Sequence, residues 1–390
     1  LKLIYVLTLV LVITGIGPTR ASAETPTAAS QPAGVAPSAG DYVIDQPLPV
    51  DIGADDTNIR RIGRFDDHDP KRLRFAWSAS AISVRFTGPA LNVRLEDGAN
   101  RYEVLIDGQN GSVLKTKSGS HLYLLASALP EREHTLTLVR RTEAFFGPAG
   151  FKGIQLATGG KLLPVPGAER HIEVIGDSIS AGYGNEGANQ NEHFSAATEN
   201  AWLTYGALAS RAFDADYVCI AWSGRTLWPK NTIPEVYDRV LPGEPGSKWN
   251  VAKNQPQVVV INLGTNDVAK GNPDEEGWVK AYNDFLDHIR TNYPTATIYL
   301  AIGPMISDQF SASKSALSTI RRYITRIVKE RTDKGDAHIH LLEFKQQTWK
   351  NGFGADWHPS LKTHRLMADD LIEAIRHDPG WQPVQNHAQY

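Results

Sequence analysis

Two hydrophobic periods in one chain predict an antiparallel, jelly-roll-like β-sandwich followed by an α/β/α three-layer domain on a parallel sheet. Between about residues 60 and 160 apolar side chains alternate with polar ones in short runs separated by turn signals. After about residue 163, apolar runs recur roughly every 40 residues with stretches of 3.6-residue period between them.

Ahead of both lies a segment that reads as an address. Lys2 precedes an apolar run over residues 3–16, then Pro18, Thr19, Arg20 and the small triplet Ala21-Ser22-Ala23. This is the pattern of a secretory signal, residues 1–23, cleaved before Glu24. The run is shorter than the roughly 20 apolar residues a membrane span needs, so the expectation is an exported protein with no membrane attachment after cleavage. Residues 24–40, with Pro26, Pro32 and Pro37 among small polar residues, have no face to bury and read as a flexible tether.

The sandwich is expected over residues 41–163. Leu73, Phe75 and Trp77 alternate with Arg72, Arg74 and Ala76. The period of two recurs at Ile82/Val84/Phe86, Leu91/Val93/Leu95, Tyr102/Val104/Ile106, Leu122/Leu124 and Leu136/Leu138. Thr87-Gly88-Pro89, Asp97-Gly98, Asp107-Gly108 and Asn110-Gly111 supply the turns. Asp66, Asp67 and Asp69 lack the spacing of a calcium loop and read as a solvated turn, and Arg140-Arg141 as a strand-end or interdomain contact.

The second domain is expected over residues 164–390. Strands are predicted at 171–175, 217–222, 258–263, 298–302 and 339–342, with helical faces such as Trp278-Tyr282-Phe285-Ile289 and Leu317-Ile320-Ile324-Ile327-Val328 between them. Helices covering both faces of a parallel sheet leave the carboxyl ends of the strands as the place for chemistry.

Composition narrows the chemistry. Forty basic against 43 acidic residues, a net of −3, is no footprint for nucleic acid. One cysteine, Cys219, excludes an intrachain disulfide and any cysteine-built metal centre, and it reads as a small core residue. No phosphate-binding loop and no His-Glu-x-x-His occurs, so no cofactor and no metal are expected. Gly182-Tyr183-Gly184-Asn185-Glu186-Gly187 fits a dinucleotide spacing but starts six residues beyond its strand, with no acid ending a second strand.

Four blocks fall at strand ends. The first strand runs into Gly176-Asp177-Ser178, which puts the Ser178 hydroxyl at a strand-to-helix turn; Ser178 is equally suited to be a plain helix cap. The second ends before Ser223-Gly224-Arg225 and the third in Gly264-Thr265-Asn266-Asp267, where a glycine N–H and an asparagine amide can donate to a developing oxyanion; singly, each is also ordinary turn chemistry. Asp356-Trp357-His358-Pro359-Ser360 precedes the last helix. Trp357 is the aromatic residue best placed in sequence to border a pocket, ahead of Trp222 and Trp228.

Taken together the blocks resemble the SGNH, or GDSL, hydrolase superfamily. The resemblance implies Ser178 as nucleophile, His358 as base, and the Ser178 N–H, the Gly224 N–H and the Asn266 amide as oxyanion donors. With a preceding sandwich, Gly63-Arg64-Phe65-Asp66, Arg140-Arg141-Thr142-Glu143-Ala144 and Gly182-Tyr183-Gly184, the chain resembles carbohydrate esterase family 2. That implies removal of acetyl groups from plant cell-wall polysaccharide such as xylan or glucomannan. The alternatives are a carbohydrate-binding protein with a vestigial site and an esterase for other acyl groups. One departure stands out: the superfamily places an Asp three residues before the His, and here that position is Ala355. Asp356 lies two before, on the same face if the segment is extended, and its carboxylate is expected to orient His358. The alternative is a main-chain carbonyl in that role.

Overall fold

The computed structural model describes residues 43–309 and 313–384. The expected signal and tether lie outside the described residues, as do residues 41 and 42 of the expected sandwich region. Among the described residues no helix is long and apolar enough to cross a membrane.

The first part is two antiparallel sheets. One contains β1 (Val50–Ile52), β3 (Leu73–Phe75), β5 (Leu91–Asp97), β8 (Gly119–Ala126) and β10 (Ala149–Leu156), in the order β1-β10-β5-β8 with β3 also on β10. The other contains β2 (Arg60–Ile62), β4 (Ala81–Thr87), β6 (Arg101–Ile106), β7 (Gln109–Lys115), β9 (Glu133–Arg140) and β11 (Leu162–Leu163), in the order β11-β4-β9-β6-β7 with β2 on β4. The alternating residues Val84, Phe86, Leu91, Val93, Leu95, Tyr102, Val104, Leu136 and Leu138 meet in one core, as facing sheets require.

Three local expectations are corrected. Asn110-Gly111 lies inside β7 rather than in a turn, because Asp107 and Gly108, both at positive φ, already close the β6–β7 hairpin. On β8 the buried face carries Tyr123 and Leu125, leaving Leu122 and Leu124 half-buried on the other. An apolar pair on a two-sided strand does not by itself say which face is the core. Asp66 is buried and salt-bridged to Arg74 at 2.5 Å, so it is no solvated residue.

The second part is a five-stranded parallel sheet. Its strands are β12 (Arg170–Gly176), β13 (Ala215–Ala221), β14 (Val258–Asn262), β15 (Thr297–Ile302) and β16 (Ile339–Glu343), ordered β13-β12-β14-β15-β16. Its central strands are apolar throughout, and residues such as Val260, Ile261 and Leu300 are fully buried. Each such side chain contributes about 1.5–3 kcal/mol of burial. The helices are α1 (Ser178–Ala181), α2 (Tyr205–Ala212), α3 (Glu275–Asn292), α4 (Ala316–Asp333) and α5 (Leu361–His377). α3 starts where Asp274 accepts the Gly277 N–H, and it buries Trp278, Tyr282, Phe285 and Ile289 against the sheet. α2 and α5 cover the opposite face.

Register positions the site. Gly176 at the end of β12 lies opposite Ala221 of β13 on one side and Asn262 of β14 on the other. Three strands therefore end level, around the point where the strand order reverses.

Candidate active site

β12 passes directly into α1, whose cap is Asp177: its side chain accepts the Ile179 N–H at 3.0 Å. The cap is thus Asp177, and Ser178 is the first residue of the helix. Burial pushes the Asp177 carboxyl up to about 7, with the nearby Asp267 charge adding to the effect against the Ile179 hydrogen bond. Ser178 is 7% exposed, and its Oγ lies 2.9 Å from Nε2 of His358.

His358 reaches the serine from a turn docked onto the segment after α1. The Ala355 N–H donates to the Gly184 carbonyl at 2.8 Å, and the His358 N–H to the Ala355 carbonyl at 3.0 Å. A Cβ on Gly354 would come within 2.2 Å of the Gly184 carbonyl oxygen, and one on Gly184 within 2.7 Å of the Ala355 Cβ. The glycines of the dinucleotide-like spacing thus serve close backbone packing.

The expectation for Asp356 is corrected by the geometry. The group facing His358 Nδ1 is the main-chain oxygen of Asp356, at 3.2 Å. The Asp356 carboxylate turns away, accepting from the Phe194 N–H (2.9 Å) and the Tyr183 hydroxyl (3.1 Å) and contacting His193 Nδ1 (3.0 Å). The rule that residues i and i+2 share a face requires extended backbone. Here Asp356 and Trp357 are both left-handed, with φ of 49° and 65°, and the carboxylate is carried off that face. The Phe194 N–H, followed by His193, holds the Asp356 carboxyl below its ordinary range. Burial lowers His358, only partly offset by the main-chain contacts at Asp356 and Ala355. Tyr183 packs on the imidazole at 4.3 Å and stacks on Phe194 at 3.9 Å.

Gly224 follows β13 at φ 75°, exposed between half-buried neighbours, and a Cβ there would meet nothing within 4 Å. Asn266 follows β14; its Nδ2 donates to the Arg225 carbonyl at 2.9 Å and stands 3.4 Å from Asp177 Oδ2. Asn266 thereby ties the loop after β13 to the loop after β14. Asp267 accepts from the Leu227 and Trp228 N–H groups and the Trp278 indole.

Trp357 is 48% exposed and sits with Trp349, 70% exposed, and Phe353 along a cleft of about 660 Å³. Trp222 lies beneath the Arg225 guanidinium and packs on the core, as does Trp228. Sequence reasoning passed over Trp349, Phe353 and Phe194, and named Tyr183 only within its glycine motif. The signal available for them was nearness in sequence to the histidine block and to the segment after Ser178. Cys219 is buried, and burial pushes its thiol up to about 12, which suits a core role.

A serine–histidine contact at the carboxyl ends of a five-stranded parallel sheet, beside a glycine and an asparagine on neighbouring strand ends, defines a GDSL-type hydrolase. Family comparisons agree: a GDSL-like Lipase/Acylhydrolase family model matches residues 174–366, and a Carbohydrate esterase 2 N-terminal model matches residues 61–166. The structure superposes on that of a family two carbohydrate esterase from Clostridium thermocellum in complex with cellohexaose. The TM-score is 0.79 at 37% identity, covering 83% of this chain and 99% of the other. The chain belongs to carbohydrate esterase family 2. Among curated relatives, the Cellulase/esterase CelE of Acetivibrio thermocellus is 37% identical over 335 residues, 84% of this chain; the match spans only 40% of that protein's length. An Acetylxylan esterase / glucomannan deacetylase of Cellvibrio japonicus is 27% identical over 346 residues, covering 85% of this chain and 91% of the relative.

Proposed function

We propose that this protein is a secreted serine esterase that removes O-acetyl groups from plant cell-wall polysaccharide, xylan or glucomannan. The observation carrying this reading is the 2.9 Å contact between Ser178 Oγ and His358 Nε2 at the level strand ends. In the proposed reaction Ser178 Oγ attacks the acetyl carbonyl carbon while His358 takes its proton. The Ser178 and Gly224 N–H groups receive the oxyanion together with the Asn266 N–H that otherwise makes only the long contact to Asp177. The C–O bond to the sugar then breaks, His358 protonates the sugar oxygen, and a water activated by His358 releases acetate and restores Ser178. No step draws on a cofactor or a metal. Trp357 borders the polysaccharide. Support for the substrate class comes from the Cellvibrio relative's name, and support for export from the apolar run over residues 3–16.

A second reading has its own observation. The exposed Trp349 and Trp357 offer flat faces for sugar rings, and the Clostridium thermocellum structure holds cellohexaose; a carbohydrate-binding role with a secondary esterase site is the alternative. Acetate release from acetylated xylan and glucomannan, and from a chromogenic acetate ester, separates the two. The esterase reading expects turnover that Ser178→Ala lowers by about 10⁶. Failure to hydrolyse even the chromogenic ester, with cello-oligosaccharide still bound, would favour the binding reading.

A further inference from the structure

One acidic side chain crosses from the sandwich into the hydrolase site. Glu143 lies just after β9 and opens a 3₁₀ turn over Ala144–Phe146. The backbone there is wound around the fully buried Arg140 guanidinium, which donates to the carbonyls of Thr142 (2.8 Å), Glu143 (2.9 Å) and Gly147 (2.8 Å). So anchored, the buried Glu143 carboxylate meets Ser223, the residue before the oxyanion glycine. The Ser223 N–H donates to its Oε2 at 2.6 Å and the Ser223 hydroxyl donates to its Oε1.

Behind it stands a second buried acid. Glu199 Oε2 accepts the Glu143 N–H at 3.2 Å. Burial and then the Glu143 charge push the Glu199 carboxyl well up. Burial raises the Glu143 carboxyl too, but less far, because the two Ser223 donors and Arg140 favour its charged form. Apart from this grip the loop after β13 is held by the Trp222 N–H on the Gly176 carbonyl and the Arg225 N–H on the Trp222 carbonyl, both at 3.3 Å, by Asn266 on the Arg225 carbonyl, by Asn231 Nδ2 on the Gly224 carbonyl at 3.4 Å, and further along by the Leu227 and Trp228 N–H groups on Asp267.

We infer that Glu143 is a positioning residue: through Ser223 it fixes the direction in which Gly224 presents its N–H to the oxyanion. Charge-assisted hydrogen bonds of this kind are about twice as strong as neutral ones, and a donor must already point at the place where charge develops. The inference rests on the esterase reading above and adds a residue from the other domain to it.

The test is Glu143→Ala, with Glu143→Leu as a space-filling version should alanine not fold, assayed for acetate release and for inhibition by phenylboronic acid, which closes a tetrahedral adduct on a serine Oγ. Removing an oxyanion donor outright costs about 10²–10³ in kcat, and loosening one costs less. The expected result is a roughly 10- to 100-fold fall in kcat with KM within about threefold, and a matching loss of boronate affinity. Cello-oligosaccharide binding should be unchanged. Glu143→Gln, whose amide oxygen still accepts the Ser223 N–H while its NH₂ donates to the turned hydroxyl, should recover kcat to within about threefold. A kcat within threefold of wild type in both Glu143→Ala and Glu143→Leu overturns the inference, as does a rise in KM at constant kcat or unaltered boronate affinity. An active wild type with indifferent Glu143 variants overturns this inference alone. A wild type without esterase activity, or a Ser178→Ala variant as active as wild type, overturns the esterase reading and this inference with it.

Discussion

Asp356→Asn is the substitution that separates the two ways of holding His358. The Asp356 main-chain oxygen stands 3.2 Å from Nδ1, and the side chain spends its hydrogen bonds on Phe194, Tyr183 and His193. Asparagine keeps an oxygen for the Phe194 N–H and tolerates the left-handed backbone at φ 49° better than most residues. The carbonyl that faces Nδ1 survives. What is lost is the charge that strengthens the Phe194 bond, about 1 kcal/mol, which corresponds to roughly a fivefold to tenfold fall in kcat. A carboxylate acting directly on the imidazole would instead cost up to about 10⁴, or roughly 5.5 kcal/mol. Asp356→Ala should be worse than Asn, because it frees the Phe194 N–H and puts a residue without a side-chain acceptor in a conformation costing about 1–3 kcal/mol. Initial rates of acetate release at neutral pH, with thermal unfolding as a check on folding, measure both variants. A loss of 10³ or more for Asp356→Asn in a folded protein would refute the carbonyl assignment.

Asn266→Ala should lower kcat by roughly 10²–10³ with KM nearly unchanged; a raised KM at constant kcat would assign Asn266 to substrate binding instead. The base must be neutral to accept the Ser178 proton, so kcat/KM should rise with pH through His358. Because burial lowers His358 from 6.5, the midpoint belongs below 6.5. A midpoint above 7 would require a carboxylate against the imidazole where the structure has a main-chain oxygen. His364 is buried and accepts the Tyr205 N–H through Nδ1 at 3.3 Å, and burial pushes it down to about 3. The unfolded chain therefore takes up a proton at His364 that the folded one refuses, and wild type loses stability as pH falls from 6.5. Relative to His364→Gln the loss should reach about 2 kcal/mol by pH 5, read from urea midpoints at the two pH values. A gap that does not change with pH would mean that His364 is not held neutral.

Much of this was written in residue pattern. The parallel strands show themselves because Val258, Val259, Val260 and Ile261 are buried on both faces and leave no alternation. The meeting of Ser178 with His358 is legible because a motif fixes each to a strand end or helix start. The choice of the Asp356 carbonyl over its carboxylate is not legible, since it depends on two successive left-handed residues: aspartate adopts that conformation more readily than most, but tryptophan gives no such signal. The partnership of Glu143 with Ser223 joins residues 80 apart, and nothing local to either one announces it. For β8 the difficulty was of another kind: apolar residues stand on both faces, and only the opposing sheet selects Tyr123 and Leu125 for the core.

The seam between sandwich and sheet bears on how such a unit can be shuffled between genes. Ala79, Ala81, Leu105 and Val139 of the sandwich share one apolar cluster with α2 and α5. Arg64 is buried against Glu173 of β12, and Arg141 reaches Glu186 and the Glu199 carbonyl. A recombination point placed between the two parts would strand Glu173 without its cation and expose the face of α2. The strand-end blocks with Ser178 and His358 would be transferred intact while Glu143, which holds Ser223, stayed behind. Domain shuffling that moves the two parts as one inseparable cassette is the arrangement this seam permits.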